Sequence, residues 1–95
     1  MGCGEMKVDN ISVYDAVKIV EEYIHNNRDK LVANIHGPRN IIKFSVRKIL
    51  HHYNIPYNYA SQIARAVWQL HYLRKIRIIR KGGRRNWYIV ELLED

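Results

Sequence analysis

The strongest signal for the fold lies in residues 55–90, which read IPYNYASQIARAVWQLHYLRKIRIIRKGGRRNWYIV. The first half of this stretch has apolar residues at helical spacing, and its second half has two apolar runs on either side of Gly82-Gly83. Helical spacing followed by a glycine turn between β-forming runs predicts a helix and then a two-stranded ribbon. We expect the helix over residues 58–74 and the strands over residues 76–81 and 86–90.

The predicted helix has two chemically different sides. Ile63, Val67 and Leu70 share one side with two alanines, which predicts burial in the core. The opposite side has no carboxylate and consists of Asn58, Ser61, Gln62, Arg65 and Gln69. Amide and guanidinium groups of this kind read base edges in duplex DNA. Trp68 and Tyr72 also fall near the outward side, which indicates packing under the ribbon or a surface for a dimer or another protein.

Charge is unevenly distributed along the 95 residues, whose formal net charge is +7. Between Lys30 and Val90 there is no Asp or Glu, yet that span holds thirteen of the sixteen Lys and Arg residues. A stretch of one sign repels itself unless a polyanion relieves it, and nucleic acid is the leading candidate. An acidic protein or an anionic membrane would satisfy the same electrostatics. The cations concentrate around the glycine pair, at Arg80, Lys81, Arg84 and Arg85. The alternative for these four is a solvated turn kept cationic to block edge aggregation.

The N-terminal third predicts an arm and a helix. Residues 1–11 form the arm, and residues 12–95 form a single domain. Ser12 and Asp15 have the spacing of a capping box, and the apolar pattern behind them predicts a helix over residues 13–27. The apolar residues of segment 28–36 either extend this helix or form a short second one, although Asn26-Asn27 favours a break.

The middle of the chain predicts a short strand and a second helix. An apolar run at residues 41–44 favours the strand, and Ser45 is a plausible N-cap for a helix of about two turns. Pro56 ends that helix, and Ile55 is expected to fill the gap before the next one. If Gly82-Gly83 form the turn, Ile78 lies opposite Trp87, with the apolar face of the ribbon against the helices. The same register places Ile76 opposite Ile89, and a loop of four or six residues would shift it.

Several functional classes lack support in the sequence. Cys3 is the only cysteine, which excludes an intramolecular disulfide, and the five histidines do not have metal-site spacing. The central span has no carboxylate for acid–base catalysis, and Gly82-Gly83 does not precede a helix as a phosphate loop would. We therefore expect no enzyme, no catalytic residue, no metal and no cofactor. No apolar run is long enough to span a membrane, so we expect an intracellular, nucleoid-associated protein.

The order of these elements resembles the winged helix-turn-helix family. Residues 45–53 resemble its positioning helix, residues 58–74 its recognition helix and residues 76–90 its wing. The implied fold is α+β and mostly helical, with three or four helices, a C-terminal two-stranded β-hairpin wing and room for a short third strand. The composition, rich in Ile, Tyr, Lys and Arg, also resembles small regulators of archaea and their plasmids or viruses.

The resemblance implies double-stranded DNA binding by a homodimeric transcriptional regulator. A recognition helix of this family enters the major groove, and its wing contacts phosphate or the minor groove. Base contacts would fall to Asn58, Ser61, Gln62, Arg65 and Gln69. Tyr57 and Tyr59 would donate to phosphates at the start of the helix. Wing contacts would fall to Arg80, Lys81, Arg84 and Arg85. Supporting phosphate contacts would fall to Lys43, Arg47 and Lys48.

Two other functions fit the same residues. One is a small accessory subunit that grips a protein of the replication, transcription or translation machinery, using Trp68 and Tyr72. The other is a non-specific binder of chromatin or RNA.

Overall fold

A computed structural model describes residues 11–82 and 86–93 of the chain. They form a small α+β domain with three α-helices and a three-stranded antiparallel sheet. In chain order the elements are α1 (Val13–Leu31), β1 (Ile41–Ser45), α2 (Val46–His52), a 3-10 turn (Tyr57–Tyr59), α3 (Ala60–Tyr72), β2 (Ile76–Gly82) and β3 (Trp87–Leu92). The strand order is β1-β3-β2. This order of helices and strands is compatible with a winged-helix layout.

Helix α1 begins where the sequence predicts and ends later. The Ser12 hydroxyl accepts from the Asp15 N–H at 3.1 Å, and the Asp15 carboxylate accepts from the Ser12 N–H, which confirms the capping box. Asn27 has non-helical backbone angles, and its side-chain amide donates to the Tyr23 carbonyl at 2.9 Å. The Asn26-Asn27 break is therefore a kink, and the helix continues beyond it to Leu31. Ile11, which we had assigned to the arm, is buried in the core.

Helix α2 is capped at both ends as its sequence indicates. The Ser45 hydroxyl accepts from the Lys48 N–H, which confirms the N-cap. Asn54 follows the helix with φ of 56°, and the Ile55 N–H donates back to the Leu50 carbonyl at 2.8 Å. This arrangement is a Schellman motif, for which Asn is one of the few residues suited to the left-handed position. Ile55 is buried as expected.

Helix α3 is shorter than the predicted helix of residues 58–74. A 3-10 turn precedes it, and its first α-helical residue is Ala60. Its buried side consists of Ile63, Ala66, Val67 and Leu70, which pack on α1 and on the inner face of the sheet. The helix ends in a second Schellman motif, in which Arg74 adopts φ of 62° and the Lys75 N–H donates to the Leu70 carbonyl.

The predicted ribbon register is wrong. Ile78 pairs with Val90 and Ile76 with Leu92, and a β-bulge separates the pairs of Ile78 and Arg80. The ladder closes at the pair of Gly82 and Trp87, so Gly82 belongs to β2, while Gly83 lies outside the described residues. Four residues, 83–86, therefore separate the strands instead of the two that the predicted register requires.

The register change reverses the faces of β3. Tyr88, Val90 and Leu92 point into the core, whereas Trp87 is half-buried on the outer face. The apolar run from Trp87 to Val90 does not distinguish the two faces, because every position in it is apolar. Glu91 is the signal that could have done so, since a carboxylate takes the outer face and successive residues alternate.

Candidate nucleic-acid interface

The outward row of the segment 57–72 reaches solvent. Asn58, Ser61, Arg65 and Gln69 are all exposed. Gln62 is half-buried, and its side-chain carbonyl accepts from the Ser61 hydroxyl at 2.9 Å. Four of the five predicted base readers therefore present their side chains on an open helical surface, and the fifth is held by its neighbour.

The two tyrosines at the start of this segment differ. Tyr57 is 65% exposed, as a phosphate donor must be. Tyr59 is only 8% exposed and belongs to the core cluster, so its assignment as a phosphate contact is corrected. Its position in the sequence accounts for this, because Tyr59 precedes Ile63, Ala66 and Leu70 by four, seven and eleven residues, which is the helical spacing of the buried side.

The three predicted supporting cations lie around one open groove of about 740 Å³ between the end of α1, strand β1 and helix α2. Lys43 comes from β1, and Arg47 and Lys48 come from α2. The other residues that line the groove differ in chemistry and include Lys30, Leu31, Val32, His51 and Trp87. Val32 forms an isolated antiparallel bridge with Ile42, which holds the end of α1 against the edge of the sheet. Tyr57 shares a neighbouring hollow with Arg47 and His51, so the cationic side of α2 adjoins the start of the α3 segment.

The wing continues this surface across the sheet. On the outer face, Lys43 and Arg80 are both paired with Ile89 and flank it from the two neighbouring strands. Lys81 is also exposed, but it pairs with the inward-facing Tyr88 and therefore lies on the opposite face of β2 from Arg80. The Val46 N–H donates to the Asn86 carbonyl at 3.0 Å, which ties the start of α2 to the start of β3. Arg84 and Arg85 lie outside the described residues.

Three acids in the described ranges pair with cations that lie outside the proposed interface. Within residues 11–82 and 86–93, the ion pairs are Asp29–Arg39 at 3.0 Å, Glu21–Lys75 at 3.1 Å and Glu91–Arg77. In that same part of the chain, the proposed interface cations make no ion pair, namely Lys43, Arg47, Lys48, Arg65, Arg80 and Lys81. A surface whose cations are left uncompensated attracts polyanions, because its potential is not cancelled locally.

Aromatic side chains flank the outward row at its C-terminal end. Trp68 is half-buried and contacts the rings of His71 and Tyr72, with centroids at 5.5 and 6.2 Å. Tyr72 is 70% exposed. Trp68 and Tyr72 line a hollow with Arg65 and Gln69, which is separate from the groove of α2. The His71 Nδ1 accepts from the Ile78 N–H at 3.2 Å, which connects the end of α3 to β2.

Three tyrosines carry shifted pKa values. Burial raises the pKa of Tyr23 and of Tyr88, and burial followed by the nearby Glu22 carboxylate raises the pKa of Tyr53. The Trp68 side chain exerts a smaller, opposite effect on the pKa of Tyr88. Its indole nevertheless does not meet hydrogen-bond geometry, and the buried Tyr88 hydroxyl has no partner in the described part of the chain. These shifts are consequences of packing and lie outside the cationic surface.

Metal-binding clusters and membrane-spanning helices are both absent from the described residues. No group of three or more His, Cys, Asp or Glu side chains there is arranged to hold a metal ion. No helix in the described ranges has the length and apolarity needed to cross a bilayer.

The structure thus groups the predicted site residues into two adjoining surfaces. One is the polar row of α3, and the other is the cationic surface of α2, β1 and the wing. The sequence patterns did not predict that Lys30, His51 and Trp87 line the same groove as Lys43. No local pattern signals this cluster, because its residues come from three segments that are distant in sequence, namely the end of α1, the consecutive β1 and α2, and β3.

Comparison of the chain with protein-family models, with curated proteins and with solved structures gave no significant match.

Proposed function

We propose that this protein binds double-stranded DNA through the α3 segment and the basic wing, and that it acts as a homodimeric transcriptional regulator. The observation that supports this most strongly is the separation of charge. Glu21, Asp29 and Glu91 pair with Lys75, Arg39 and Arg77. Within the described ranges no ion pair is made by the cations proposed as contacts, namely Lys43, Arg47, Lys48, Arg65, Arg80 and Lys81.

In this proposal α3 lies in the major groove. Arg65 donates two hydrogen bonds to a guanine, and the amides of Asn58 and Gln69 pair with adenines. An exposed, acid-free helical row satisfies the geometric requirement, since a helix fits the groove only if its outward side chains are free to reach base edges. Ser61 and Gln62 would contribute as a hydrogen-bonded pair.

Phosphates on either side would contact the cations that flank α3. Tyr57 and Arg47 lie next to the start of the α3 segment, and Lys48 lines the neighbouring groove together with Arg47. Lys43 and Arg80 lie on the outer face of the sheet and Lys81 on the opposite face of β2, and we propose Arg84 and Arg85 as further phosphate contacts. Contacts of this kind position the protein on the duplex but do not select the sequence.

A salt series of duplex binding tests the proposal. We expect the logarithm of the association constant to fall steeply with the logarithm of salt concentration, by about 0.9 per phosphate contacted. Lys48→Ala should reduce that slope by about 1 and weaken all sequences alike, as should Arg84→Ala and Arg85→Ala. Arg65→Ala should cost about 1–3 kcal/mol and also relax the preference among sequences selected from random duplexes.

The matched control is Lys18→Ala. Lys18 is an exposed cation on α1, its ammonium lies over the Tyr14 ring, and it makes no ion pair within the described ranges. This variant should retain both affinity and slope. A binding constant that hardly changes with salt, or an equal response to Lys18→Ala and Lys48→Ala, would contradict a phosphate-dominated interface.

A second candidate function is docking on another protein. Tyr72 and Leu73 are 70% and 52% exposed at the end of α3, next to Trp68. Clustered exposed apolar side chains of this kind are typical of protein-interaction sites. The duplex titration separates the two candidates, because a docking surface alone predicts no salt-dependent affinity for DNA.

A further inference from the structure

The groove between α1, β1 and α2 has a composition that duplex binding does not explain. Phosphate contacts require only cations, yet this groove also has an apolar wall of the half-buried Leu31 and Val32. The cations around it include Lys30, which lies at the end of α1 and far from α3 in sequence. The described residues that line the groove include no Asp or Glu.

Trp87 gives the groove an aromatic surface in a fixed position. Its indole lies across Gly82 on the outer face of the sheet, and a Cβ added at Gly82 would collide with the ring. The Lys43 ammonium lies 4.9 Å from the ring centroid. An indole held by backbone on one side, with a flexible cation nearby, is well suited to stack a planar group whose attached phosphate the cation then meets.

The shape of the groove selects among polyanions. A duplex is read by a convex element, since a helix must enter a major groove about 12 Å wide. A concave groove of about 740 Å³ cannot enclose a duplex and instead falls in the size range of small-ligand sites. One strand, with its bases unstacked, presents both the flat surface and the separate phosphates that this lining matches.

We propose that this groove binds single-stranded nucleic acid. One base stacks on Trp87, its neighbour lies against Leu31 and Val32, and phosphates contact Lys30, Arg47 and Lys48. Cations that track the backbone, combined with an aromatic side chain that stacks a base, are the recurring chemistry of single-strand binding. This site shares Arg47 and Lys48 with the proposed duplex contacts. Lys30 and Trp87 take no part in those contacts and therefore distinguish the two sites.

Fluorescence of Trp87 tests the proposal directly. The chain has two tryptophans, so Trp68→Phe leaves Trp87 as the only one. We expect a twelve-nucleotide oligo-dT or oligo-rU to quench its emission, with an affinity that falls as salt rises. The two oligonucleotides distinguish single-stranded DNA from RNA, and saturable quenching by either supports the site. A lack of quenching by both would overturn it.

Anisotropy of labelled oligonucleotides provides a second measurement that does not require Trp68→Phe. Lys30→Ala and Trp87→Leu should each weaken oligo-dT or oligo-rU binding by roughly tenfold and leave the affinity for a blunt hairpin duplex unchanged. Circular dichroism establishes that each variant is folded. Lys18→Ala is the control for loss of one cation and should not change single-strand affinity.

The outcomes also separate this site from the duplex interface. Arg65→Ala should weaken hairpin binding while oligonucleotide binding persists, and Lys30→Ala should do the reverse. If duplex binding proves absent, oligonucleotide binding that is sensitive to Lys30 and Trp87 still supports the groove. Equal losses of hairpin and oligonucleotide binding in Lys30→Ala would contradict a separate single-strand site.

Discussion

The hydroxyl group of Tyr88 lowers the stability of the folded protein. The side chain is completely buried, and its hydroxyl has no hydrogen-bond partner among residues 11–82 and 86–93. The ring of Tyr88, in contrast, contributes to core packing, since its centroid lies 5.9 Å from that of Phe44. A buried hydroxyl without a partner costs about 1–3 kcal/mol.

We therefore expect Tyr88→Phe to raise the free energy of unfolding by about 1 kcal/mol at neutral pH. Urea denaturation measures it. Tyr23→Phe is the matched control: Tyr23 is also a buried core tyrosine, but its hydroxyl is not an unpaired buried atom, so we expect little change. A loss of stability in Tyr88→Phe would show that the hydroxyl has a hydrogen-bond partner after all.

At the scale of elements, capping motifs define where helices stop. Both α2 and α3 end in Schellman motifs, with Asn54 and Arg74 in the left-handed region. Asn tolerates that conformation because its short polar side chain bonds locally, whereas Arg has no such compensation. The end of α3 matters to the site, because it sets the direction in which β2 leaves the helix toward the wing.

Arg74→Gly should raise the free energy of unfolding by about 1 kcal/mol, since glycine adopts φ of 62° without a Cβ penalty. Arg74→Ala removes the same charge and keeps a Cβ, so it is the matched control and should not stabilise. Thermal denaturation of the two variants measures the difference. Equal stability of the glycine and alanine variants would show that the left-handed conformation is not strained here.

At the scale of the whole molecule, burial of tyrosines makes the fold sensitive to alkali. The pKa values of Tyr23, Tyr53 and Tyr88 are raised in the folded state above their ordinary value of 10.0. The unfolded chain therefore ionises first. The stability that these groups contribute is complete below pH 10 and is lost as the pH rises toward the folded pKa values.

We expect the urea midpoint to fall as the pH increases beyond about 10, and to fall less steeply in Tyr88→Phe. Tyr14→Phe is the control, because that ring is 68% exposed to solvent. Equal pH slopes in the wild type and in Tyr88→Phe would show that the buried hydroxyl does not govern the alkaline transition.

Those parts of the candidate interface that depend on spacing within one helix could be predicted from the sequence, whereas those that depend on contacts between distant segments could not. The polar row of α3 follows from helical periodicity, and four of its five members are exposed as expected. Tyr59 was misassigned although it precedes Ile63 by four residues and Leu70 by eleven, a helical spacing that places it on the buried side. The groove around Trp87 was not predicted, because it depends on a sheet register that one β-bulge and a longer connection shift.

Periodicity, capping residues and the position of acids were sufficient by themselves to predict the order and approximate extent of the helices and strands, and the cationic character of the middle of the chain. These properties depend on neighbours three or four residues apart, or on composition, and both can be read directly. The sequence did not indicate which face of β3 is buried or which cations lie side by side, and both became apparent from the three-dimensional arrangement. Both depend on packing between distant segments, where an apolar run without alternation leaves two faces of nearly equal energy until the core selects one.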